Sequence, residues 1–330
     1  MWKLLSKITK NLVVAIPISM ILGFLFGINF KTDFLKSLVV PFTFLMVYPM
    51  MITLNIKHLK EGINIKLQAI TQFLNFAVIP FIAYGLGFLF FPNKPYMALG
   101  LLLASLLPTS GMTISWTGFA KGNIGAAINM TVIGLSLGSL VTPFYVQWLM
   151  GTKVEVNLLQ VFKQIAFIVF LPMFIGYLTR EYLIKRYGQK DFKDIWVPRL
   201  PSVSTIGVLG IVFIALALKA KAIAQSPALL GYIFIPLIFL YGINFTLSTL
   251  IGKNLFIRGD AIALVYGTVM RNLSIALAVA INTFGAAGSE AALVIAIAYI
   301  IQVQSAAWYV RFTDTIFGSQ QKISLGAIKN

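Results

Sequence analysis

The dominant pattern in this chain is an alternation of whole segments: apolar runs from end to end, parted by short polar breaks. A bilayer core about 30 Å thick is crossed by about 20 residues of helix. Runs of that kind lie near 11–28, 37–54, 67–91, 96–120 and 124–150, and again near 158–182, 201–218, 229–251, 261–284 and 290–312. The pattern predicts ten membrane-spanning helices, five in each half. Long segments of alternating polar and apolar residues are missing, which argues against an outer-membrane barrel. The start, Met1-Trp2-Lys3-Leu4-Leu5-Ser6-Lys7, has the charge of a signal peptide, but no small-residue cleavage site follows the first apolar run. That run is therefore expected to be the first span.

Composition strengthens this picture. Of the 330 residues 59% are hydrophobic and only 11% charged, far from the usage of soluble domains. Lys and Arg number 26 against 9 Asp and Glu, giving a formal net charge of +17. Almost all of these cations flank the apolar runs, which makes them topology signals and leaves no compact basic surface to track phosphates. The predicted termini and the loops on their side carry most of them, so both termini are expected in the cytoplasm, with the basic segment from Arg180 to Arg199 as a cytoplasmic connector. Cysteine is absent, which excludes disulfides, thiolate metal sites and thiol nucleophiles. His58 lies in the charged loop Asn55-Ile56-Lys57-His58 and reads as a solvated loop residue.

Five spans per half oblige the halves, residues 1–152 and 153–330, to lie in the membrane with opposite orientation, so a repeat between them is inverted. Weak internal matches agree. Ala15-Ile16-Pro17 with Gly23 pairs with Phe170-Leu171-Pro172 with Gly176, and Val78-Ile79-Pro80 with Tyr84-Gly85 pairs with Phe234-Ile235-Pro236 with Tyr241-Gly242. The stretch from Phe119 to Ala127 aligns without gaps to that from Phe284 to Ala292. Duplicated transporters of this kind bind their substrate near the midplane, where corresponding helices are interrupted.

Two interruptions stand out. Span 4 is broken at Pro108-Thr109-Ser110-Gly111, where proline removes a backbone donor and glycine permits a reversal. Span 9 carries Arg271 in Met270-Arg271-Asn272-Leu273-Ser274. From Asp260 to Arg271 is about 16 Å along a helix, close to the bilayer centre. A guanidinium there costs at least about 2.5 kcal/mol, so it should face the bundle interior and have a partner. All nine acidic residues fall in loops or near helix ends, which leaves carbonyls, amide or hydroxyl oxygens, or an anionic substrate. Thr109, Ser110, Thr113, Arg271, Asn272 and Ser274 are the candidate substrate-binding residues. Gln72 and Asn75 form a polar pair on one face of span 3, and Thr131, Gln302 and Gln304 are similar though weaker. Neither catalytic motifs nor a nucleotide-binding loop occur, so an enzyme is not expected and ion gradients become the expected energy source.

These features resemble the bile acid:sodium symporter superfamily, which also includes the arsenite efflux permeases. The resemblance runs over nearly the whole chain, most clearly in Phe119-Ala120-Lys121-Gly122-Asn123 and in Asn272-Leu273-Ser274-Ile275-Ala276-Leu277-Ala278. It implies a core domain of spans 3 to 5 and 8 to 10, a panel of spans 1, 2, 6 and 7, crossed discontinuous helices 4 and 9, and cation-coupled transport of an organic anion by alternating access. It also implies ion ligands at Gln72, Thr113 and Thr131, with Na⁺ as the candidate coupling ion and no other cofactor. Three positions depart: Ile114, Ala127 and Gly267 stand where the symporters have an asparagine, a serine and an acidic residue. Arg271 stands where they have a ligand glutamine.

The expectation is thus an all-α polytopic protein of the cell membrane, moving a small organic anion, with Arg271 standing in for a sodium ion, and needing neither nucleic acid nor an obligate protein partner. Two alternatives stay open. Met46-Val47-Tyr48-Pro49-Met50-Met51 looks more like the arsenite permeases, yet their cysteine in span 4 and glutamate in span 9 are missing. Broken helices can also line a channel, or belong to a sensor that transports nothing.

Overall fold

A computed structural model describes residues 2–53, 64–154, 156–225 and 227–318. His58 and its loop lie outside the described residues. The described chain is helical throughout, and the only β pairing among the described residues is one isolated antiparallel bridge. In chain order the helices are α1 (Trp2–Lys10), α2 (Leu12–Asn29), α3 (Leu35–Thr53), α4 (Ile65–Phe73), α5 (Ile79–Phe90), α6 (Pro95–Leu106) and α7 (Gly111–Phe119). There follow α8 (Ile124–Met150), α9 (Leu158–Ile165), α10 (Leu171–Asp191), α11 (Leu200–Gln225), α12 (Ala228–Leu255), α13 (Arg258–Val269) and α14 (Leu273–Phe317). Six helical stretches among the described residues are long and apolar enough to cross a membrane, and three shorter apolar helices accompany them. This is a polytopic membrane protein.

Two junctions are π-helical turns, Leu74–Val78 between α4 and α5 and Ala166–Phe170 between α9 and α10. Each has a proline two residues past its end, Pro80 or Pro172. Proline has no N–H and its ring crowds the carbonyl four residues back, so the helix widens by one residue rather than breaking. The carbonyl displaced by Pro80 is that of Phe76, and the Tyr145 hydroxyl from α8 donates to it at 2.5 Å. Pro17 and Pro236, their counterparts in the sequence matches, sit inside uninterrupted helices. The matched prolines therefore differ in local conformation.

Between helices in lipid there is little hydrophobic drive, so close backbone approach at small residues does much of the packing. α11 lies against α2 and α3 in this way. A Cβ placed on Gly27 would fall 2.2 Å from the Ala217 carbonyl, and one on Gly207 would fall 2.4 Å from the Met46 amide. α6 meets α14 similarly, with Gly100 against the backbone of Ala291. α14 takes in the second half of the run 261–284 and all of the run 290–312, and bends at Gly285, whose φ of 55° is the left-handed conformation that glycine adopts without strain.

The start of α13 is tied to its neighbours by a polar clasp. Asp260, in the first turn of α13, accepts from the side-chain amides of Asn123 (2.7 Å) and Asn64 (2.9 Å). Those asparagines are also the N-caps of α8 and α4, accepting from Ala126 N and Leu67 N. Arg258 donates to the carbonyls of Lys121, Ala120 and Gly318 and pairs with Asp314. Three helices are thereby set in register, and with them Asn75, Thr131 and Arg271.

Replacing Gly27 or Gly207 by leucine is expected to destabilise the protein by about 1–3 kcal/mol through forced separation of α11 from its neighbours. Gly231→Ala, at a position with no atom within 4 Å of the added methyl, should leave stability unchanged or slightly raised. Thermal unfolding of the purified protein in detergent reads both.

Candidate functional site

The interruptions in the two helical pairs, residues 107–110 between α6 and α7 and residues 270–272 between α13 and α14, meet each other. Thr109 N donates to Met270 O and Asn272 N donates to Leu107 O, both at 2.8 Å, making the antiparallel bridge between Pro108 and Arg271. A helix end leaves carbonyls without donors, and buried ones must be satisfied some other way. Here they are. In an unbroken helix Gly267 O would accept from the amide of Arg271 and Thr268 O from that of Asn272. Instead Asn75 Nδ2 donates to Gly267 O at 3.0 Å and Asn244 Nδ2 to Thr268 O at 2.9 Å. Gln302 from the far part of α14 completes the set. Its Oε1 accepts from Arg271 N (2.8 Å) and from the Tyr241 hydroxyl (2.9 Å), and its Nε2 donates to Arg271 O (3.1 Å).

Thr109 holds the first break in a left-handed conformation, φ 65°, which is uncommon for a β-branched residue. Its hydroxyl points at α8, within 3.3 Å of Thr131 O. α8 can come this near because Gly134 and Gly138 face the break: Cβ atoms there would lie 2.9 Å from Thr109 Oγ1 and 2.8 Å from Pro108 Cδ.

The candidate side chains divide by what they already bond. Ser110 and Thr113 form a reciprocal capping box at the start of α7. Asn272 caps α14 by accepting from Ile275 N. Ser274 bonds the Tyr299 hydroxyl, and Thr131 donates back to Ala127 O. These groups are engaged within the protein. Two candidates are not. Gln72 has neither amide atom bonded, although both are buried. Arg271 is 3% exposed, and its two terminal guanidinium nitrogens are buried without a hydrogen-bond partner. The sequence led us to expect a partner for this cation. The structure supplies partners to its backbone and none to those nitrogens.

The N-termini of α7 and α14, with their partial positive charge, converge on the same region. Gly267 explains a further departure: a Cβ there would lie 2.5 Å from Met130 Sδ, so the volume of a side chain is already filled by Met130. Sequence reasoning missed Tyr241 and Asn244, which lie in a span with few other polar groups. It also passed over Gln68 and Asn129, each with a buried side-chain oxygen that has no partner. Isolated amides inside apolar runs were the signal that could have found them.

Interrupted helices that meet around a buried cation are the arrangement membrane transporters use to build a site. The comparisons agree and are more specific. Residues 40–226, more than half of the chain, match the Sodium Bile acid symporter family, and the chain belongs to that family. It is 25% identical to the uncharacterized protein YbaS of Bacillus subtilis over 81% of this chain and 86% of that one. It is 28% identical to the uncharacterized sodium-dependent transporter YocS of the same species, over 79% and 78% of the two chains. With the arsenical-resistance protein Acr3 of Corynebacterium glutamicum the identity is 24%, over 74% and 70%.

Gln302→Leu leaves the Arg271 amide and carbonyl and the Tyr241 hydroxyl without partners. At about 1–3 kcal/mol for each orphaned buried group, a loss of at least about 3 kcal/mol is expected. Tyr241→Phe, which spares the bonds to Arg271, should cost about 1 kcal/mol. Melting curves of the two variants test the ranking.

Proposed function

We propose that this protein is a secondary active transporter of a small organic anion in the cell membrane, working by alternating access, with Arg271 as an internal counter-cation. One observation carries this reading: a guanidinium buried among interrupted helices whose terminal nitrogens have no protein partner. Such a group is far more costly empty than paired, and a carboxylate satisfies it with charge-assisted hydrogen bonds. In this reading the ten spans form an inverted repeat of five and five, with α4 to α8 and α12 to α14 as the moving core and α2, α3 and α9 to α11 as the panel. Both termini are cytoplasmic.

Sodium coupling is the open part of the proposal, and the donor set argues for fewer sodium ions or none. Gln72, Thr113 and Thr131 offer oxygens, but that of Thr113 already accepts from Ser110 N. Ile114 and Ala127 offer no side-chain donor, Gly267 offers no carboxylate, and Met130 fills the space one would need. A fixed cation nearby repels Na⁺ and supplies its charge. Similarity to the arsenical-resistance proteins favours arsenite efflux as a second reading. A chain with no cysteine has no thiolate to offer that thiophilic substrate.

Uptake of organic anions into proteoliposomes is expected to persist without a Na⁺ gradient, and Arg271→Gln is expected to lower it by at least about tenfold, the worth of one charge-assisted bond. Strict dependence of the wild type on two Na⁺ per substrate would overturn the counter-cation role. Expression in an arsenite-sensitive host should give no resistance.

A further inference from the structure

The exposed stripe of α10 changes character along its length. Leu171, Phe174, Leu178 and Tyr182 recur on one face of the helix, each at least 38% exposed. From Leu171 to Tyr182 is about 16 Å of helix, close to the hydrocarbon depth of a single leaflet, about 15 Å. One turn further the same face carries Lys185 and Arg186, both exposed. Apolar surface of one leaflet's depth, a tyrosine at its end and two cations beyond it match a phospholipid laid along the helix: acyl chains, interface and phosphate in that order.

The cationic end is held in place. Arg186 Nη1 donates to the Tyr182 hydroxyl, and the guanidinium lies 5.9 Å from the Tyr182 ring centre and 5.5 Å from that of Tyr187. Gly188, at φ 84°, then turns the chain, and a π-helical turn at Phe192–Trp196 brings it back against α10. Phe192 is buried with Ile52 and Leu183, and the Trp196 and Tyr187 ring centres are 5.7 Å apart. Among the described residues, no carboxylate lies within ion-pair distance of Lys185, Arg186, Lys190 or Lys193. α1 lies at the same end of the bundle, where Thr9 Oγ1 donates to Thr205 Oγ1 near the start of α11 at 3.0 Å. α1 holds three Lys and no acidic residue, and residues 180–199 hold six Lys and Arg against three Asp and Glu.

We propose that the end of α10, with the elbow that follows it and α1 nearby, is a docking surface for an anionic phospholipid. Lys185 and Arg186 take the phosphate, Tyr182 stands at the level of the glycerol, and the stripe from Leu171 to Leu178 takes the acyl chains. Lys190, Lys193 and the lysines of α1 add attraction over a longer range. An orientation signal asks only for cations near the ends of spans. It does not ask that they continue a lipid-facing stripe, or that one be fixed against two tyrosines. This binding occurs whether or not the protein transports an anion. In the proposed division α10 and α11 belong to the panel, so the lipid would hold that domain in its leaflet while the core moves.

The full-length protein in a neutral detergent tests this, with dioleoyl phosphatidylglycerol or dioleoyl phosphatidylcholine added to the micelles and the unfolding temperature as the readout. Phosphatidylglycerol should raise that temperature saturably, and phosphatidylcholine should not. From the worth of one basic residue near anionic headgroups, Lys185→Gln should weaken phosphatidylglycerol binding about fivefold, and Lys185→Gln with Arg186→Gln about thirtyfold. Lys94→Gln with Lys153→Gln removes the same charge from exposed positions in loops expected on the other face, and should leave binding within about twofold. Inorganic phosphate at the same concentration should not compete. Equal stabilisation by the two lipids, or binding by the Lys185 and Arg186 double variant within about twofold of wild type, would overturn the site. An equal loss in the Lys94 and Lys153 pair would overturn it too, by reducing the effect to net charge. Displacement of the lipid by inorganic phosphate would replace it with a free-anion site. Should the double variant fail to fold, Lys185→Gln alone carries the decision, and unweakened binding there overturns the site.

Discussion

A backbone amide inside a bilayer has no water to turn to, and each unsatisfied group there costs several kcal/mol. The two helix interruptions in this protein are possible because each supplies what the other lacks: Thr109 N to Met270 O, and Asn272 N to Leu107 O. The remaining arrangements at the centre follow from that exchange. Asn75, Asn244 and Gln302 are drawn in to serve the carbonyls and amide that the bridge leaves over. Gly134 and Gly138 must be small so that α8 can lie against the strained Thr109. The Asp260 clasp keeps the contributing helices in register.

With the polar groups committed in this way, the guanidinium of Arg271 is left over. Its depth comes from the sequence, but its isolation comes from the bonding around it: Gln302 spends both ends of its amide on Arg271 backbone atoms and on Tyr241. A buried cation whose terminal nitrogens no protein oxygen reaches is a demand for an anion from outside.

Much of the fold was legible because lipid imposes a simple rule on length and polarity. The expected run 124–150 is helix α8, Ile124–Met150, residue for residue, and most other runs differ from their helices by a few residues. α1 was not anticipated as a separate helix, because its mixed pattern of Lys and apolar residues reads equally well as the flank of the first span. The π-helical turns were also hidden: Pro80 and Pro172 are visible in the sequence, but Pro17 and Pro236 look the same and produce no such turn. At the site, the residues of both breaks were found from their composition. That Ser110, Thr113 and Asn272 would be used as helix caps depends on which backbone groups lie unpaired beside them. A bond between Leu107 and Asn272 joins positions too far apart in sequence for any local pattern to announce it.

A fixed positive charge in a carrier has an electrical consequence that a bound sodium ion does not. Sodium arrives and leaves with the substrate, so the empty protein is uncharged at that point. Arg271 stays. In the proposed cycle the loaded site is neutral, because the anion cancels the guanidinium, while the empty site is positive. A potential of 100 mV works with about 2.3 kcal/mol on one charge moved fully across the membrane. In an uptake cycle the membrane voltage would then oppose the return of the empty carrier, holding its positive site towards the negative interior, and leave the loaded step nearly untouched.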